Sequence, residues 1–238
     1  MIGLLTCAFV AFSCEALAGF GGTVLALALG AQLRPLDELL AIFLPANLVL
    51  SAVLALAHTQ RIDWRLLTRR IGPAMAVGLP FGLVLFRVLG NALRPVFAGI
   101  VLLLAALEAL RLVSRSTTRR PRLGMLLLWL AGVVHGAYGT GGPLVVFVAG
   151  RDLDDKHAIR ATLAVLWLTL NLVLVAGFAV EGRLTGATLT SSLALLPVVA
   201  IALGLGERLA RRLSDRPFRV FGAALLGVAG LSLLLRGA

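Results

Sequence analysis

Apolar residues run in long unbroken stretches along this chain, near 2–18, 23–33, 36–57, 71–89, 92–113, 123–138, 143–150, 158–180, 189–206 and 217–235. Charges are confined mostly to the short joints between them. A stretch that is apolar on every face, rather than along one stripe, is the pattern of a helix surrounded by lipid or by other apolar helices. A helix needs about 20 predominantly apolar residues to cross a bilayer. Four stretches, 2–18, 23–33, 123–138 and 143–150, are too short for that, and the rest predict membrane-spanning helices. The joints leave no room for an extramembrane domain, so residues 1–238 are expected to form one all-α polytopic membrane domain of seven or eight membrane segments by usual counting.

The short stretches fall into two pairs, each split by a glycine cluster: Gly19-Phe20-Gly21-Gly22 and Gly139-Thr140-Gly141-Gly142. The clusters coincide at an offset of 120 residues, and after a small gap the correspondence continues at an offset of 124. There Leu44-Pro45-Ala46-Asn47-Leu48-Val49-Leu50 meets Leu168-Thr169-Leu170-Asn171-Leu172-Val173-Leu174, while Pro73 and Gly82 meet Pro197 and Gly206. The chain therefore reads as a duplication. Repeat one is expected over 1–113, a basic linker over 114–122 and repeat two over 123–238, each repeat being a glycine-broken segment followed by three transmembrane helices.

Basic residues in the joints decide how the broken pairs sit. There are 22 of them, all arginine except Lys156. If each pair crossed the membrane once, they would divide 11 against 11, leaving none of the asymmetry that orients a membrane protein. If each pair enters to the midplane and returns, Arg34, Arg87, Arg94, Arg183 and Arg236 make 5 on one side and leave 17 on the other. Re-entrant segments are therefore expected, with both termini periplasmic and the loops at Arg61 to Arg70 and Arg208 to Arg219 cytoplasmic. Three full crossings per repeat is an odd number, so the halves become inverted repeats, an architecture common in secondary transporters.

Composition excludes other classes. With 60% hydrophobic and 14% charged residues and a mean hydropathy of +1.01, too few polar groups exist to coat a soluble globule. The net charge of +11 sits in the joints and records topology, so no nucleic-acid partner is expected. Cys7 and Cys14 lie seven residues apart in one apolar stretch, without histidine partners, and read as reduced packing residues rather than a disulfide or metal site. The N-terminus lacks a basic leader, so insertion is expected to use the first hydrophobic stretches themselves.

The breaks carry the candidate chemistry. Backbone that breaks inside hydrocarbon leaves unpaired N–H and C=O groups, and persists only when buried in protein or lining a cavity. Beyond each cluster a helix is expected to restart, at Thr23 and at Pro143, aiming free N–H donors and the positive end of its dipole inward. Two such ends facing one site make an anion pocket without a fixed cation. The competing reading of the glycines is close helix packing. The expected substrate-binding residues are Gly19, Gly21, Gly22, Thr23, Asn47, His135, Tyr138, Gly139, Thr140, Gly141, Gly142 and Asn171. Glu15 and His135 each lie four residues before a break, at equivalent places in the two repeats. Ionisable groups at membrane depth are functional candidates by default, so both are expected to take part in proton coupling. Arg61, Asp63, Trp64 and Arg65 read as an interfacial anchor, and Arg208, Arg211 and Arg212 as a cytoplasmic helix end.

This combination resembles the TauE/SafE sulfite exporter family over essentially the whole chain. The residues that carry the resemblance are the glycine-rich first break, the loop Arg61-Ile62-Asp63-Trp64, the glycines Gly72, Gly78 and Gly82, and the second break at Gly139 to Gly142. The resemblance implies a permease of the bacterial inner membrane that moves sulfite, sulfoacetate or a related sulfur-containing anion outward, driven by the proton gradient. Family members often carry three glycines and then a proline. Here Pro143 follows the second cluster, whereas Phe20 interrupts the first and no proline follows until Pro35. The expected partners are a small anion, protons and the lipid bilayer, with self-association left open and no cofactor. Uptake of another small anion, or a structural role in a membrane complex, are the alternatives. An enzyme is not expected, because no HExxH, GxSxG or paired-Asp motif occurs.

Overall fold

The computed structural model describes residues 1–113, 121–150, 152, 153 and 155–212, with single positions at 220, 224, 227 and 231. Most of the expected linker 114–122 and most of the last expected helix, 217–235, lie outside the described residues. The helices are α1 (Ile2–Ala18), α2 (Gly22–Gly30), α3 (Leu36–Ala57), α4 (Trp64–Leu66), α5 (Gly72–Leu89), α6 (Arg94–Val113), α7 (Pro121–Tyr138), α8 (Gly142–Ala149), α9 (Lys156–Val180), α10 (Gly186–Ala194) and α11 (Leu196–Arg212). No strand occurs among the described residues. Four stretches among them are long and apolar enough to cross a membrane: Leu36–Ala57, Trp64–Leu89, His157–Val180 and Gly186–Ala210.

Local chemistry sets several boundaries. Acidic Asp37 and Glu38 occupy the first turn of α3, where they favour the helix dipole. A π-turn over Leu67–Ile71 joins α4 to α5, so this helix begins at Trp64, earlier than the apolar run from 71 suggested. Arg65, Arg69 and Arg70 end the run without ending the helix, because long basic side chains carry their charge to the interface. The single stretch 189–206 is two helices, since Pro197 has no N–H for the carbonyl four residues back. The side chain of Asp155 accepts from the backbone N–H of His157 at 3.0 Å and caps α9. That bond, with the charges of His157 and Arg61, holds its carboxyl below the usual carboxylate range. Asp155→Ala should therefore destabilise the protein by about 1 kcal/mol, read as a lower unfolding midpoint in detergent. A depressed carboxyl stabilises the fold above its unfolded pKa of about 4 and loses that effect as pH falls through the folded value, so the two proteins should converge in acid.

Three helix pairs hold the described fold together: α1 against α11, α3 against α9 and α5 against α7. Glycines make the closest approach. Gly78 and Gly82 of α5 face Gly132 and Gly136 of α7, and a methyl group on any of the four would overlap backbone of the other helix. In lipid, where burial of apolar area does not drive association, such small-residue contacts and close packing do. On α11, Gly206 meets Ala16 of α1 in the same manner.

Each short pair folds back on itself. A Cβ at Gly3, at the start of α1, would lie 2.9 Å from Leu33, just past α2. At the start of α7, Gly124 lies beside Val148 near the end of α8. Ion pairs sort the loops by end. At one end Arg61 pairs with Asp155 at 3.3 Å, Arg70 with Asp152, and Glu207 with Arg160 at 2.8 Å and His58 at 3.1 Å. At the other, Arg87 pairs with Glu181, and Arg183 donates to the Asp37 carbonyl at 2.9 Å while its guanidinium lies 3.9 Å over the Phe178 ring. The α1–α2 hairpin opens toward the second end and the α7–α8 hairpin toward the first, where Gly124 also meets Arg70. Trp64, the expected anchor, is 55% exposed.

Candidate functional site: a buried cavity between two helix breaks

The two breaks begin alike and then differ, Gly21 standing at φ 88° before α2 and Gly141 at φ −165° before α8. Gly19 and Gly139 end α1 and α7 in the left-handed region, at φ 79° and 62°, where residues with a Cβ are strained. Their N–H groups bond the carbonyls of Glu15 and His135 at 2.6 and 2.7 Å. Helices restart at Gly22 and Gly142, each one residue before the expected Thr23 and Pro143, because glycine accepts the first helical position without contact cost. The breaks touch each other, a Cβ at Gly142 falling 2.7 Å from that of Phe20.

Between them lies a small cavity, with room for about one water molecule in this conformation. Glu15, Thr23, Asn47, Thr140, Trp167 and Asn171 line it, with the glycines Gly21, Gly139, Gly141 and Gly142 supplying backbone. Of the expected binding residues, Gly19, Gly22, His135 and Tyr138 stand behind the wall rather than on it. Gly19 abuts Arg160, and Gly22 packs on Glu15. Tyr138 packs edge-on to Phe86 at 6.0 Å. His135, 1% exposed, stacks on Trp167 with centroids 5.5 Å apart and lies beside the Asn171 amide.

A hydrogen-bonded chain crosses the cavity wall. Asn47 Nδ2 donates to Glu15 Oε2 at 2.8 Å, Asn171 Nδ2 donates to Asn47 Oδ1 at 2.8 Å, and Ser51 Oγ donates to the same oxygen at 3.2 Å. The backbone N–H groups of Gly22 and Thr23 also donate to the Glu15 carboxylate. Asn47 and Asn171, equivalent in the two repeats by sequence, thus bond each other directly, half-way along α3 and α9. Among the described residues no lysine or arginine lines the cavity, so the donors there are N–H groups and helix ends.

Two residues absent from the expected site belong to it or support it. Trp167 lines the cavity and donates from Nε1 to the Gly19 carbonyl at 2.8 Å, closing an orphaned acceptor of the first break. Its signal was available: at the offset of 124 it meets Phe43, so an aromatic pair precedes the matching heptamers. Arg160, 5% exposed, donates to the Ala16 carbonyl and to Glu207. It lies inside the stretch 158–180 rather than in a joint.

An all-helical protein with several helices long enough to span, whose broken helices meet at a buried polar cavity, is built as membrane transporters are. The chain belongs to a family of that kind: the profile of the sulfite exporter TauE/SafE family matches residues 4–233. It is also similar to the "Probable inner membrane transporter protein TsaS" of Comamonas testosteroni, with 29% identity over 182 residues, 73% of each chain. No solved structure matches the chain at a significant level. The protein is thus a multi-pass membrane transporter of this family.

Proposed function

We propose that the protein exports a small sulfur-containing anion, such as sulfite or sulfoacetate, from the cytoplasm in a manner coupled to the proton gradient. The observation that carries this reading is the buried cavity walled by two helix restarts and neutral donors, with no cationic side chain among the described residues on its wall. The anion binds at the midplane between the starts of α2 and α8. Thr23, Asn47, Thr140 and Asn171 serve as neutral donors, Glu15 takes and releases the proton, and His135 and Tyr138 act from behind the wall, His135 as a second proton site. Family membership supports an anion of this kind, and the similar Comamonas protein is itself named as a transporter.

Alternating access follows from inverted repeats over 1–113 and 123–238, each with a re-entrant pair and three crossings. Reciprocal packing supports this: α1 of the first half pairs with α11 of the second, α7 of the second with α5 of the first, and α3 with α9. So does the sorting of loops, which joins Arg61 and Arg70 to Asp155 and Asp152 at one end. The test is flux in proteoliposomes under a pH gradient. Labelled sulfite or sulfoacetate should move through the wild type, with a rate that changes about tenfold per pH unit where one proton controls it. Glu15→Gln should flatten that dependence. Absence of flux for any small anion would contradict the proposal, and normal pH dependence in Glu15→Gln would remove the proton role from that residue alone.

A further inference from the structure

A broken helix shows two ends of opposite sign. The start of α2 offers N–H donors, whereas the end of α1 offers carbonyl oxygens equivalent to about half a negative charge. Left open beside the cavity, those carbonyls repel an anion. At the first break, two side chains of the second repeat cover them. Arg160 Nη2 donates to the Ala16 carbonyl, and Trp167 Nε1 donates to the Gly19 carbonyl at 2.8 Å. Positions 160 and 167 are two helical turns apart on α9, so both face α1. Gly19 permits the approach, since a Cβ there would come within 2.9 Å of the Arg160 Cα.

The cover belongs to one break. At the offset of 124 residues, Arg160 and Trp167 correspond to Leu36 and Phe43 on α3, whose side chains hold no donor. The covered break is also the one with an acid, because Glu15 precedes Gly19, whereas His135, which precedes Gly139, is neutral or positive in its two forms. A carboxyl group and a carbonyl end thus meet at the first break, and that break receives the guanidinium. Arg160 is 5% exposed and pairs at 2.8 Å with Glu207, which lies 3.1 Å from His58. Gly206, one residue before Glu207, is where α11 packs on Ala16 and Leu17. The end of α1 is therefore enclosed by α9 and α11, with a buried cation against it and that cation's partner partly exposed.

We infer that Arg160 and Trp167 set the preference of the cavity for anions, by cancelling the negative end of α1 from the opposite repeat. This rests on the reading of the cavity as an anion site. Trp167 acts at the wall, which it lines. Arg160 acts from about 10 Å further along α9, at 1.5 Å per residue. Its effect passes through buried protein, where charges are screened far less than in water. That distance suits a permease, because a cation in direct contact holds an anion against release, whereas one behind a helix end lowers the cost of entry. Glu207 sets how much of the guanidinium charge is felt. Neutralising either member of the Arg160–Glu207 pair breaks the same contact, yet the two changes act on a bound anion with opposite sign.

The test measures binding to the whole protein in detergent near neutral pH, by calorimetry, with methanesulfonate as a singly charged probe and sulfoacetate as a doubly charged one. Arg160→Gln keeps an amide donor for the Ala16 carbonyl and loses the charge. It should weaken sulfoacetate binding about tenfold and methanesulfonate binding about threefold, because the effect scales with ligand charge. Arg160→Lys should stay close to wild type, and Glu207→Gln should tighten both anions. Trp167→Phe, which keeps a ring against His135 and uncovers the Gly19 carbonyl, should weaken both. If Arg160→Gln does not fold, Glu207→Gln decides. Equal losses for the two anions in Arg160→Gln, or weaker binding in Glu207→Gln, would assign the pair to packing and overturn the inference while leaving the anion site standing. Failure of both anions to bind wild type would overturn the anion site itself and the inference with it.

Discussion

Gly82→Leu is expected to prevent the protein from assembling as a stable fold. At that point α5 and α7 are in backbone contact, and even a methyl group on Gly82 would overlap the carbonyl oxygen of Val133 and come within 2.8 Å of the Ala137 nitrogen. Neither is the movable tip of a side chain, so the helices must separate. Separation would also undo the contacts of Gly78, Gly132 and Gly136, which make the same crossing. Losing a glycine-mediated helix pair belongs among the large single-residue effects, above about 4 kcal/mol. The measurement is the monodisperse fraction after extraction, with the unfolding midpoint of what survives. Gly82→Ala should move both in the same direction by less. Gly177→Ala is the control, since a Cβ there meets nothing within 4 Å, and it should behave as wild type.

Asn171→Leu is expected to stop transport while sparing the fold. The substitution nearly conserves volume, so α3 and α9 keep their spacing. It removes the donor to Asn47 Oδ1 and places an apolar group on the cavity wall. Asn47 Oδ1 retains Ser51, which limits the stability cost to roughly 1–2 kcal/mol. An anion leaving water for the cavity would lose one of its few donors, worth about 2.7–4 kcal/mol at comparable sites, or some 10²–10³ in rate. Sulfoacetate flux should therefore fall at least a hundredfold in protein that remains monodisperse. Asn171→Gln, which keeps the amide on a longer arm, should recover part of it. A leucine variant that unfolds as readily as Gly82→Leu would assign Asn171 to packing instead.

Much of this architecture is written locally. Unbroken apolarity marks the helices, and the glycine clusters with their offset of 120 residues locate both breaks to within one residue. Asn47 and Asn171 stood out as amides in apolar stretches, and each turned out to be the other's partner. The division of α10 from α11 and the early start of α4 were less legible. One depends on a single missing N–H at Pro197, the other on arginines that a membrane helix tolerates at its end. Trp167 and Arg160 left a trace in the sequence, but not their roles. Their partners, the carbonyls of Gly19 and Ala16, are 148 and 144 residues away, and become acceptors only because α1 breaks beside them. Glu15 was visible as an acid before a break, but its position on the first donors of α2 exists only after the hairpin has closed.

The central claim is that the cavity between the breaks holds the transported anion and opens to each side of the membrane in turn. Thr140 lines it and is 4% exposed, so it is closed to solvent in this conformation. The decisive measurement is the labelling rate of Thr140→Cys, in protein whose Cys7 and Cys14 are replaced by alanine. A small membrane-impermeant thiol reagent is added from one side of oriented proteoliposomes and then from the other. The expected result is slow labelling from both sides, reduced at least tenfold by saturating sulfoacetate on either side, since occupancy blocks access in proportion to the sites filled. Labelling from neither side, or labelling that no anion slows, would contradict it.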